Sequence, residues 1–258
     1  DDPHAEYFLS FNAETKAGFG IRDNNGIGIN TAPVIPDQVD LSGVCTTFTY
    51  REMTVHLKTI GRFYLLNILA AMTAVHELGF EWEDVRRAAE QLEPVPGRLE
   101  RIDQGQPFHV IVDYAYEPAA LNAVYEALEL IDFRRLIHVV GSAGGGRDIA
   151  RREILGAMSA ENDDIVIVAN EDPYDEDPMQ IINDVSDSAA KHGKQDGVNL
   201  FRILDRQEAI EKAVRITEPD DLILITGKGS EPVMAVAHGK KIPWDDRDAV
   251  RKAITYLS

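Results

Sequence analysis

Residues 94–121 read PVPGRLERIDQGQPFHVIVDYAYEPAAL, and this stretch decides how the rest of the chain is organised. Its apolar, β-branched run FHVIV is bounded by turn residues, which is typical of a buried parallel strand. The strand stops at Asp113, and open α/β sheets bind their ligands at that edge. Glu117-Pro118 then opens a helix, with proline in its usual first turn. The stretch therefore predicts a sheet strand whose tip faces a ligand.

Arg98 and Asp113 are the candidate binding residues of this stretch. A Pro/Gly turn delivers Arg98 shortly before the strand. An arginine at a hinge and a carboxylate at a strand tip suit a nucleotide held between two lobes, with Arg98 on phosphate and Asp113 on ribose hydroxyls. A surface linker followed by an ordinary strand cap explains the same residues equally well.

Downstream of Ile102, apolar runs alternate with helical segments. The predicted strands are Phe108–Asp113, Leu136–Gly141, Asp164–Asn170, Leu200–Leu204 and Leu222–Thr226. The predicted helices cover residues 118–131, 148–161, 177–192, 206–217 and 246–257. This βαβα order indicates a Rossmann-like, doubly wound α/β sheet that is mostly parallel.

The first hundred residues follow a different pattern. Asn24-Asn25-Gly26 signals a turn, and Cys45–Leu57 alternates with period two, as half-buried antiparallel strands do. These short strands have little apolar surface with which to close a core, and the chain begins abruptly with DDPHAEYFLSF. We therefore expect residues 1–100 to be the end of a truncated domain and residues 101–258 to form a second domain.

Two helices are predicted between Gly61 and Leu92. The first carries an apolar stripe and ends at Gly79, and the second covers Glu81–Leu92. The stripe consists of Leu65, Leu69, Met72 and Leu78. Asn67 lies among these residues, and a buried asparagine needs hydrogen-bond partners, which an adenine edge or a backbone carbonyl can supply.

Composition limits the partners and the setting. With 258 residues and 44% hydrophobic content, the chain can bury a substantial core in two domains. It shows no apolar run of membrane-span length and no signal peptide, and its single cysteine, Cys45, excludes disulfides within the chain and a cysteine-rich zinc site. These features fit a reducing cytoplasm. The net charge of −18 opposes binding to nucleic acids and anionic membranes, so we expect a small-molecule partner.

The loop Gly141–Asp148, GSAGGGRD, joins a predicted strand to a predicted helix. Its glycines allow close backbone approach to an anion, and the helix start offers N–H groups. The spacing matches neither G-x-G-x-x-G nor a Walker A loop. Arg147 suits a carboxylate or phosphate, although a flexible loop before a solvated basic helix start is the alternative.

Two further strand-end loops carry charged residues. NEDPYDEDP, at 170–178, clusters Glu171 and Asp172 at a strand tip in a manner suited to an ammonium group; a capped turn before the next helix is the alternative. TGKGSEP, at 226–232, supplies Lys228 and Glu231 between turn glycines, a pattern that is common in unrelated proteins.

Taken together, these motifs resemble the Mur ligase family in order and spacing. The resemblance spans nearly the whole chain and is greatest to members that add the third residue of the peptidoglycan peptide. It is carried by DDP at 1–3, GRF at 61–63 with Asn67, PVPGRLE at 94–100, VDYA at 112–115 with Pro118, GGxRD at 144–148 with Arg152, DP and EDP within 172–178, GKG at 227–229 with Glu231, and KIPWDDR at 241–247.

The resemblance implies an ATP- and Mg²⁺-dependent amide-bond ligase of peptidoglycan synthesis, and so of cell-wall growth, cell shape and division. In that family a carboxylate of a UDP-N-acetylmuramoyl peptide is phosphorylated, and the amine of an incoming amino acid attacks the acyl phosphate. By position, ATP would contact Asn67 at adenine, Arg98 at the phosphates, Asp113 at the ribose, and Tyr116. The amino acid would be surrounded by Arg147, Glu171, Asp172, Tyr174, Gly229 and Glu231.

Several positions depart from the family pattern. Tyr116 replaces a histidine, Tyr64 an asparagine and Gly146 an aspartate, and the glycine loop has one extra residue. Tyr174 replaces an arginine that grips the distal carboxylate of diaminopimelate in members that add it. The loss of that arginine, together with the extra acid Asp172, favours a lysine-like amino acid over diaminopimelate.

The family's P-loop, magnesium ligands and carbamylated lysine lie upstream of the segment that DDP resembles. We therefore expect residues 1–100 to be the last part of a central α/β ATPase domain without its P-loop. The 258 residues alone are then expected not to turn over ATP. A non-catalytic Rossmann-like module that binds a nucleotide or amino acid is the alternative. A dinucleotide-dependent oxidoreductase, with Glu171 as the ribose-binding acid, is disfavoured by the glycine spacing.

Overall fold

A computed structural model describes residues 4–21 and 33–257 of the chain. The DDP segment and the predicted turn at Asn24-Asn25-Gly26 lie outside the described residues. The chain folds into two compact units, Asp1–Pro94 with Glu126–Ile131, and Val95–Tyr125 with Asp132–Ser258. The division after Pro94 places Arg98 in the second unit, whereas the sequence analysis puts the boundary after residue 100.

The first unit combines a three-stranded antiparallel sheet with helices. Its elements are α1 (Ala5–Leu9), β1 (Gln38–Leu41), β2 (Thr46–Tyr50), β3 (Met53–Leu57), α2 (Arg62–Glu77) and α3 (Trp82–Glu90). The strands are ordered β1-β2-β3, and the β2–β3 hairpin turns at Arg51 and Glu52, both with positive φ, as a type I′ hairpin turn requires. The alternation at Cys45–Leu57 thus correctly predicted half-buried antiparallel strands.

This unit has an apolar core of its own, which the sequence analysis did not expect. The core contains Val34, Phe48, Tyr50, Val55, Leu57, Leu65, Ile68, Leu69, Met72, Trp82, Val85 and Ala89. Two details of the predicted stripe are wrong. Leu78 is 78% exposed at the end of α2, and Asn67 is exposed because it lies off the face that Leu65, Ile68 and Met72 turn inward.

The second unit is built on one six-stranded sheet. Its elements are β4 (Glu100–Arg101), β5 (His109–Val112), α4 (Pro118–Leu128), β6 (Leu136–Val140), α5 (Ala150–Asn162), β7 (Ile165–Ala169), α6 (Pro178–Lys191), β8 (Leu200–Ile203), α7 (Arg206–Ile216), β9 (Leu222–Ile225), β10 (Val233–Val236), β11 (Lys240–Pro243) and α8 (Asp246–Leu257). The strand order is β4-β5-β9-β6-β7-β8, with β4 antiparallel to β5 and the other neighbours parallel. All five predicted strands are confirmed, and each ends one residue earlier than expected.

Helices cover both faces of this sheet. One face packs Ile137, Val139 and Ile223 against residues of α7 and α8, such as Ile210 and Val250. The other face packs strands β6–β8 against α6. The mainly parallel, doubly wound α/β sheet is therefore confirmed. The antiparallel β4 and the β10–β11 hairpin were not predicted. Within the described residues the longest helix, α2, has 16 residues, and no helix has the length and apolar character needed to cross a membrane.

Candidate functional site

Four loops follow the carboxyl ends of neighbouring strands β5, β9, β6 and β7, and parallel strands bring those ends to one edge of the sheet. The loop after β9 also meets the turn that precedes β4. A Cβ atom at Gly97 would lie 2.3 Å from the backbone nitrogen of Ser230, and one at Gly229 would lie 2.7 Å from that of Tyr114. Only glycine permits this approach, which brings the Arg98 turn to the TGKGSEP loop.

Arg98, Tyr114 and Glu231 form the first part of the site. The guanidinium carbon of Arg98 lies 4.2 Å from the centroid of the Tyr114 ring, within cation–π range. The Tyr114 hydroxyl donates a hydrogen bond of 2.8 Å to Glu231 Oε1. Burial and then the Glu231 carboxylate raise the pKa of Tyr114, so the phenol keeps the proton that it donates. Arg98 itself is exposed.

Lys228 links this group to the loop after β7. Its ammonium lies 2.9 Å from both Oδ1 and Oδ2 of Asp172 and also donates to Oε2 of Glu231. The backbone N–H of Ala235 donates to Asp172 Oδ1 at 2.7 Å. Asp172 was expected to meet an ammonium group of the substrate. In the structure Asp172 binds the ammonium group of Lys228, to which the sequence analysis assigned no role. Its contact with a substrate ammonium stays a prediction.

Glu171 lies beneath the glycine turns. It is 3% exposed, and a Cβ atom at Gly227, where φ is 108°, would lie 2.3 Å from Glu171 Oε2. Among the described residues, Oε2 has no hydrogen-bond partner. Burial raises the pKa of Glu171 to about 7, and the negative charge of Asp172 adds to this, while the cations Arg206, Lys228 and Arg151 oppose it. The Glu171 carboxyl therefore holds its proton to a higher pH than an exposed glutamate does.

Arg147 extends from the exposed part of the glycine loop after β6. Its Nη2 donates to the Tyr174 hydroxyl at 3.5 Å, and its guanidinium carbon lies 5.9 Å from the centroid of the Tyr116 ring. Tyr116 in turn meets Tyr114 edge to face, with centroids 5.2 Å apart. Arg98, Arg147, Tyr116, Tyr174 and Glu231 are thus joined by a continuous series of contacts in the second unit.

Asp113 is buried at the end of β5. Its Oδ2 accepts a hydrogen bond from the backbone N–H of Leu99 at 2.7 Å, and Oδ1 accepts one from Ala115 at 2.6 Å. Burial raises the pKa of this carboxyl, against the lowering effect of those two amides. In the structure Asp113 therefore fixes the backbone next to Arg98. Its contact with a ribose stays a prediction.

Arg206 is a further important residue at this edge that the sequence analysis missed. Its guanidinium forms two 2.8 Å hydrogen bonds with Asp246, and both side chains are fully buried. It also donates to the carbonyl oxygens of Asn170 and Thr226, at the ends of β7 and β9. Arg206 thereby fixes the starts of two site loops. Asp246 belongs to the DDR motif at 245–247, but Arg206 lies 40 residues before it, so the sequence pattern did not predict the pair.

The remaining candidate, Asn67, belongs to the first unit, where it is exposed. Its predicted contact with adenine stays a prediction. Within residues 4–21 and 33–257, no group of three His, Cys, Asp or Glu side chains is arranged to hold a metal ion.

Comparison with known proteins identifies the family. Residues 97–229, more than half of the chain, match the family model described as "Mur ligase, glutamate ligase domain". The chain belongs to the Mur ligase family, and the predicted resemblance is confirmed. The matched region contains β5–β9 and the loops after β5, β6 and β7, and it ends at Gly229, within the loop after β9.

Individual relatives and solved structures are consistent with this assignment. The UDP-N-acetylmuramoyl-L-alanyl-D-glutamate--2,6-diaminopimelate ligase of Geobacillus kaustophilus (strain HTA426) is 33% identical over 262 residues, covering 98% of this chain and 50% of that protein. The chain thus spans about half the length of the curated relatives it matches. A solved structure of a ligase with the same name is 27% identical, with a TM-score of 0.58 over 93% of this chain and 47% of that one.

A second solved structure extends the fold relationship. The pseudomurein peptide ligase type C from Methanothermus fervidus is 19% identical and has a TM-score of 0.62, covering 89% of this chain and 43% of that chain. At this identity the match shows that the two proteins share a fold.

Proposed function

We propose that this chain supplies the amino-acid-binding domain and part of the ATPase domain of a ligase that joins an amino acid to a UDP-N-acetylmuramoyl-dipeptide. The observation that carries the proposal is the continuous group Arg98–Tyr114–Glu231–Lys228–Asp172, next to Arg147 and Glu171. In this group a single side chain, Tyr114, contacts both Arg98, which is suited to phosphate, and Glu231, which is suited to an amine. An acyl-phosphate ligase needs both functions in one site.

The proposed reaction gives a role to each charged side chain that a ligand can reach. The substrate carboxylate attacks the γ-phosphorus of ATP, which gives an acyl phosphate and ADP. The amino acid, after losing a proton from its ammonium group, attacks the acyl carbon, and phosphate leaves from the tetrahedral intermediate. Arg98 would stabilise the phosphoryl oxygens, Glu231 would hold the amine and Arg147 would hold the amino acid's carboxylate.

The proposal also assigns residues to ATP. Asn67 would contact adenine, Tyr116 would offer an aromatic surface, and Asp113 would meet the ribose. Mg²⁺ would accompany ATP and neutralise its phosphates; the described residues provide no carboxylate cluster for it, so we assign no ligand to it. The 258 residues contain no Gly-Lys-Ser or Gly-Lys-Thr sequence, so we propose that they bind these ligands without turnover when expressed alone.

The amino acid added is the finer part of the proposal. The relatives named above are diaminopimelate ligases, whereas this chain has Tyr174 in place of the arginine that grips the distal carboxylate. This replacement favours a lysine-like amino acid. The second reason for that preference, the extra acid Asp172, weakens because Lys228 neutralises it. The preference for a lysine-like amino acid over diaminopimelate therefore rests on Tyr174 alone.

The test is an aminoacylation assay with the full-length ligase in the presence of ATP, Mg²⁺ and a UDP-N-acetylmuramoyl-dipeptide. We expect phosphate release and a product one amino acid heavier with lysine or ornithine. A clear preference for diaminopimelate would contradict the lysine-like assignment while preserving the ligase. No product with any amino acid would contradict the ligase itself and favour the non-catalytic binding module. We place the reaction in the cytoplasm, where its ATP and nucleotide-linked substrate are available.

Arg147→Ala is the matched variant for this assay. Arg147 is exposed, so its loss should leave the fold intact while weakening amino-acid binding. We expect the KM for the amino acid to rise by about 10-fold or more, as loss of a charge-assisted hydrogen bond predicts, with the KM for ATP nearly unchanged. Arg215→Ala, on α7 and away from the sheet edge, is the control.

A further inference from the structure

We propose that Lys228 is a positioning residue that neutralises Asp172 and fixes Glu231, so that Glu231 alone presents a carboxylate to the amine of the incoming amino acid. The inference rests on the proposed function and assigns a role to a side chain that the family resemblance left without one. It also explains why a lysine is buried at the edge of the sheet.

The hydrogen bonds of Lys228 show that it acts through its neighbours. The side chain is 1% exposed, and its ammonium has three N–H donors. Two carboxylate oxygens of Asp172 and one of Glu231 accept them. No donor remains for a substrate group, so Lys228 cannot bind the amino acid directly. A buried lysine with all its donors bound to two acids sets the charge and position of those acids.

The two acids differ in what they can still do. The side chain of Asp172 is 11% exposed, and its oxygens are bound by Lys228 and the Ala235 amide. The side chain of Glu231 is 36% exposed, and its oxygens are held by Lys228 on one side and Tyr114 on the other. Each Glu231 oxygen retains a lone pair that can accept a bond from an ammonium group. Glu231 is thus a fixed carboxylate with an open side.

Charge explains why the lysine is needed. Without it, Asp172 and Glu231 would face each other close together at a partly buried edge, and like charges there favour uptake of a proton. Desolvation raises the pKa of Glu231, but hydrogen bonds from Lys228 and Tyr114 and the nearby Arg147 hold it below its usual value. Lys228 therefore favours the ionised form of Glu231.

The test uses steady-state kinetics of the full-length ligase with Lys228→Met and with the double variant Asp172→Asn/Lys228→Met. For Lys228→Met we expect the KM for the amino acid to rise at least about 10-fold at pH 7, with the KM for ATP within about two-fold of wild type. That raised KM should fall as the pH increases from 6 to 8.5, because Glu231 without its lysine partner holds a proton more readily at the lower pH. The double variant should lose this additional pH dependence while its KM stays raised by about three-fold.

The controls separate this role from stability and from failure of the proposed function. Lys212→Met removes a surface lysine that lies 4.3 Å from the Phe201 ring and should change no KM. Circular dichroism shows whether each variant is folded. An inactive wild type would contradict the proposed function, whereas an active wild type with an unchanged amino-acid KM in Lys228→Met would overturn this inference. If neither variant folds, Lys228 has a structural role only, and the inference is again overturned.

Discussion

Two buried cations lie at the same edge of the sheet, and they are used differently. Arg206 meets one acid, Asp246, with both side chains completely buried, and two of its other N–H groups bind carbonyl oxygens at the ends of β7 and β9. Lys228 meets two acids, one of which, Glu231, is partly exposed. The first group is closed on all sides, and the second ends at a carboxylate that a ligand can reach.

The two cations therefore differ in function: Arg206 supports the fold, whereas Lys228 acts on a carboxylate that a ligand can reach. A buried pair whose partners are all internal strongly affects stability when one partner is removed. A buried cation that connects to an exposed acid influences both the fold and the charge that a ligand meets. We therefore expect substitutions around Arg206 to change the free energy of unfolding and substitutions around Glu231 to change ligand affinity.

The largest effect is expected for Arg206→Met. Among the residues that the structure describes, the substitution leaves the buried carboxylate of Asp246 with only the Trp244 indole N–H, 2.8 Å away, and frees two carbonyl oxygens. We expect the free energy of unfolding, measured with urea, to fall by about 3–5 kcal/mol. Arg202→Met, which removes an arginine paired with the exposed acids Asp187 and Asp196, should cost only about 1 kcal/mol. Equal losses in the two variants would show that the closed Arg206 group has no special role.

The second effect is a pH dependence that comes from Glu171. Its folded-state pKa is about 7 against an ordinary value of 4.5, so between these pH values the folded protein holds a proton that the unfolded chain has lost. The stability that this bound proton contributes to the folded state is complete below pH 4.5 and is lost as the pH rises through 7. Relative to wild type, Glu171→Gln should therefore gain up to about 3 kcal/mol of stability between pH 5 and pH 8. A difference that does not vary with pH would place Glu171 in a less buried environment than the structure shows.

A smaller effect is expected from Gly227→Ala, which tests how closely Glu171 and the TGKGSEP loop approach. The new methyl group would overlap Glu171 Oε2, whereas at Gly193, which has a similar φ of 101°, a Cβ atom meets nothing within 4 Å. Both substitutions strain the backbone, but only the first adds a clash. Thermal unfolding should show Gly227→Ala to be less stable than Gly193→Ala by about 2 kcal/mol. Equal stability of the two variants would contradict the observed contact.

Much of this architecture was predictable from the sequence because its causes are local. Buried parallel strands are short apolar runs, so the runs ending at Val112, Val140, Ala169 and Ile225 predicted the strands and thus the loops at their ends. Helical periodicity predicted the buried face of α2 correctly at Leu65, Leu69 and Met72. Leu78 and Asn67 were wrongly predicted to be buried: Leu78 is exposed at the end of the helix, and Asn67 lies off the inward face.

The interactions inside the site were not predictable because they join distant residues. Asp172 and Lys228 are 56 residues apart, and Tyr114 and Glu231 are 117 apart. Neither pattern nor spacing pairs such residues, so Asp172 was assigned to a substrate amine and Lys228 to no partner. The β10–β11 hairpin was also missed, because Lys240–Pro243 is exposed throughout and lacks an alternating apolar pattern.

The smallest effect on stability, with a clear effect on binding, is expected for Tyr114→Phe. The change removes one hydroxyl that holds Glu231 and keeps the ring over which Arg98 lies. We expect a loss of only about 1 kcal/mol in the free energy of unfolding but about a three-fold weaker affinity for the amino acid. Calorimetric titration of the variant and of Tyr125→Phe, whose hydroxyl lies in a closed buried group with His138 and Asp163, gives the comparison. Weaker binding in both variants would remove the distinction between open and closed groups.

The central claim is that the loops at the carboxyl edge of this sheet receive the incoming amino acid. The most direct test is a ¹H–¹⁵N NMR titration of the 258-residue chain with lysine, ornithine and diaminopimelate. We predict that the largest amide shifts occur in residues 141–147, 171–174 and 227–231. Shifts confined to other surfaces, such as the β10–β11 hairpin around Ile242, or no shifts at saturating amino acid, would contradict the account.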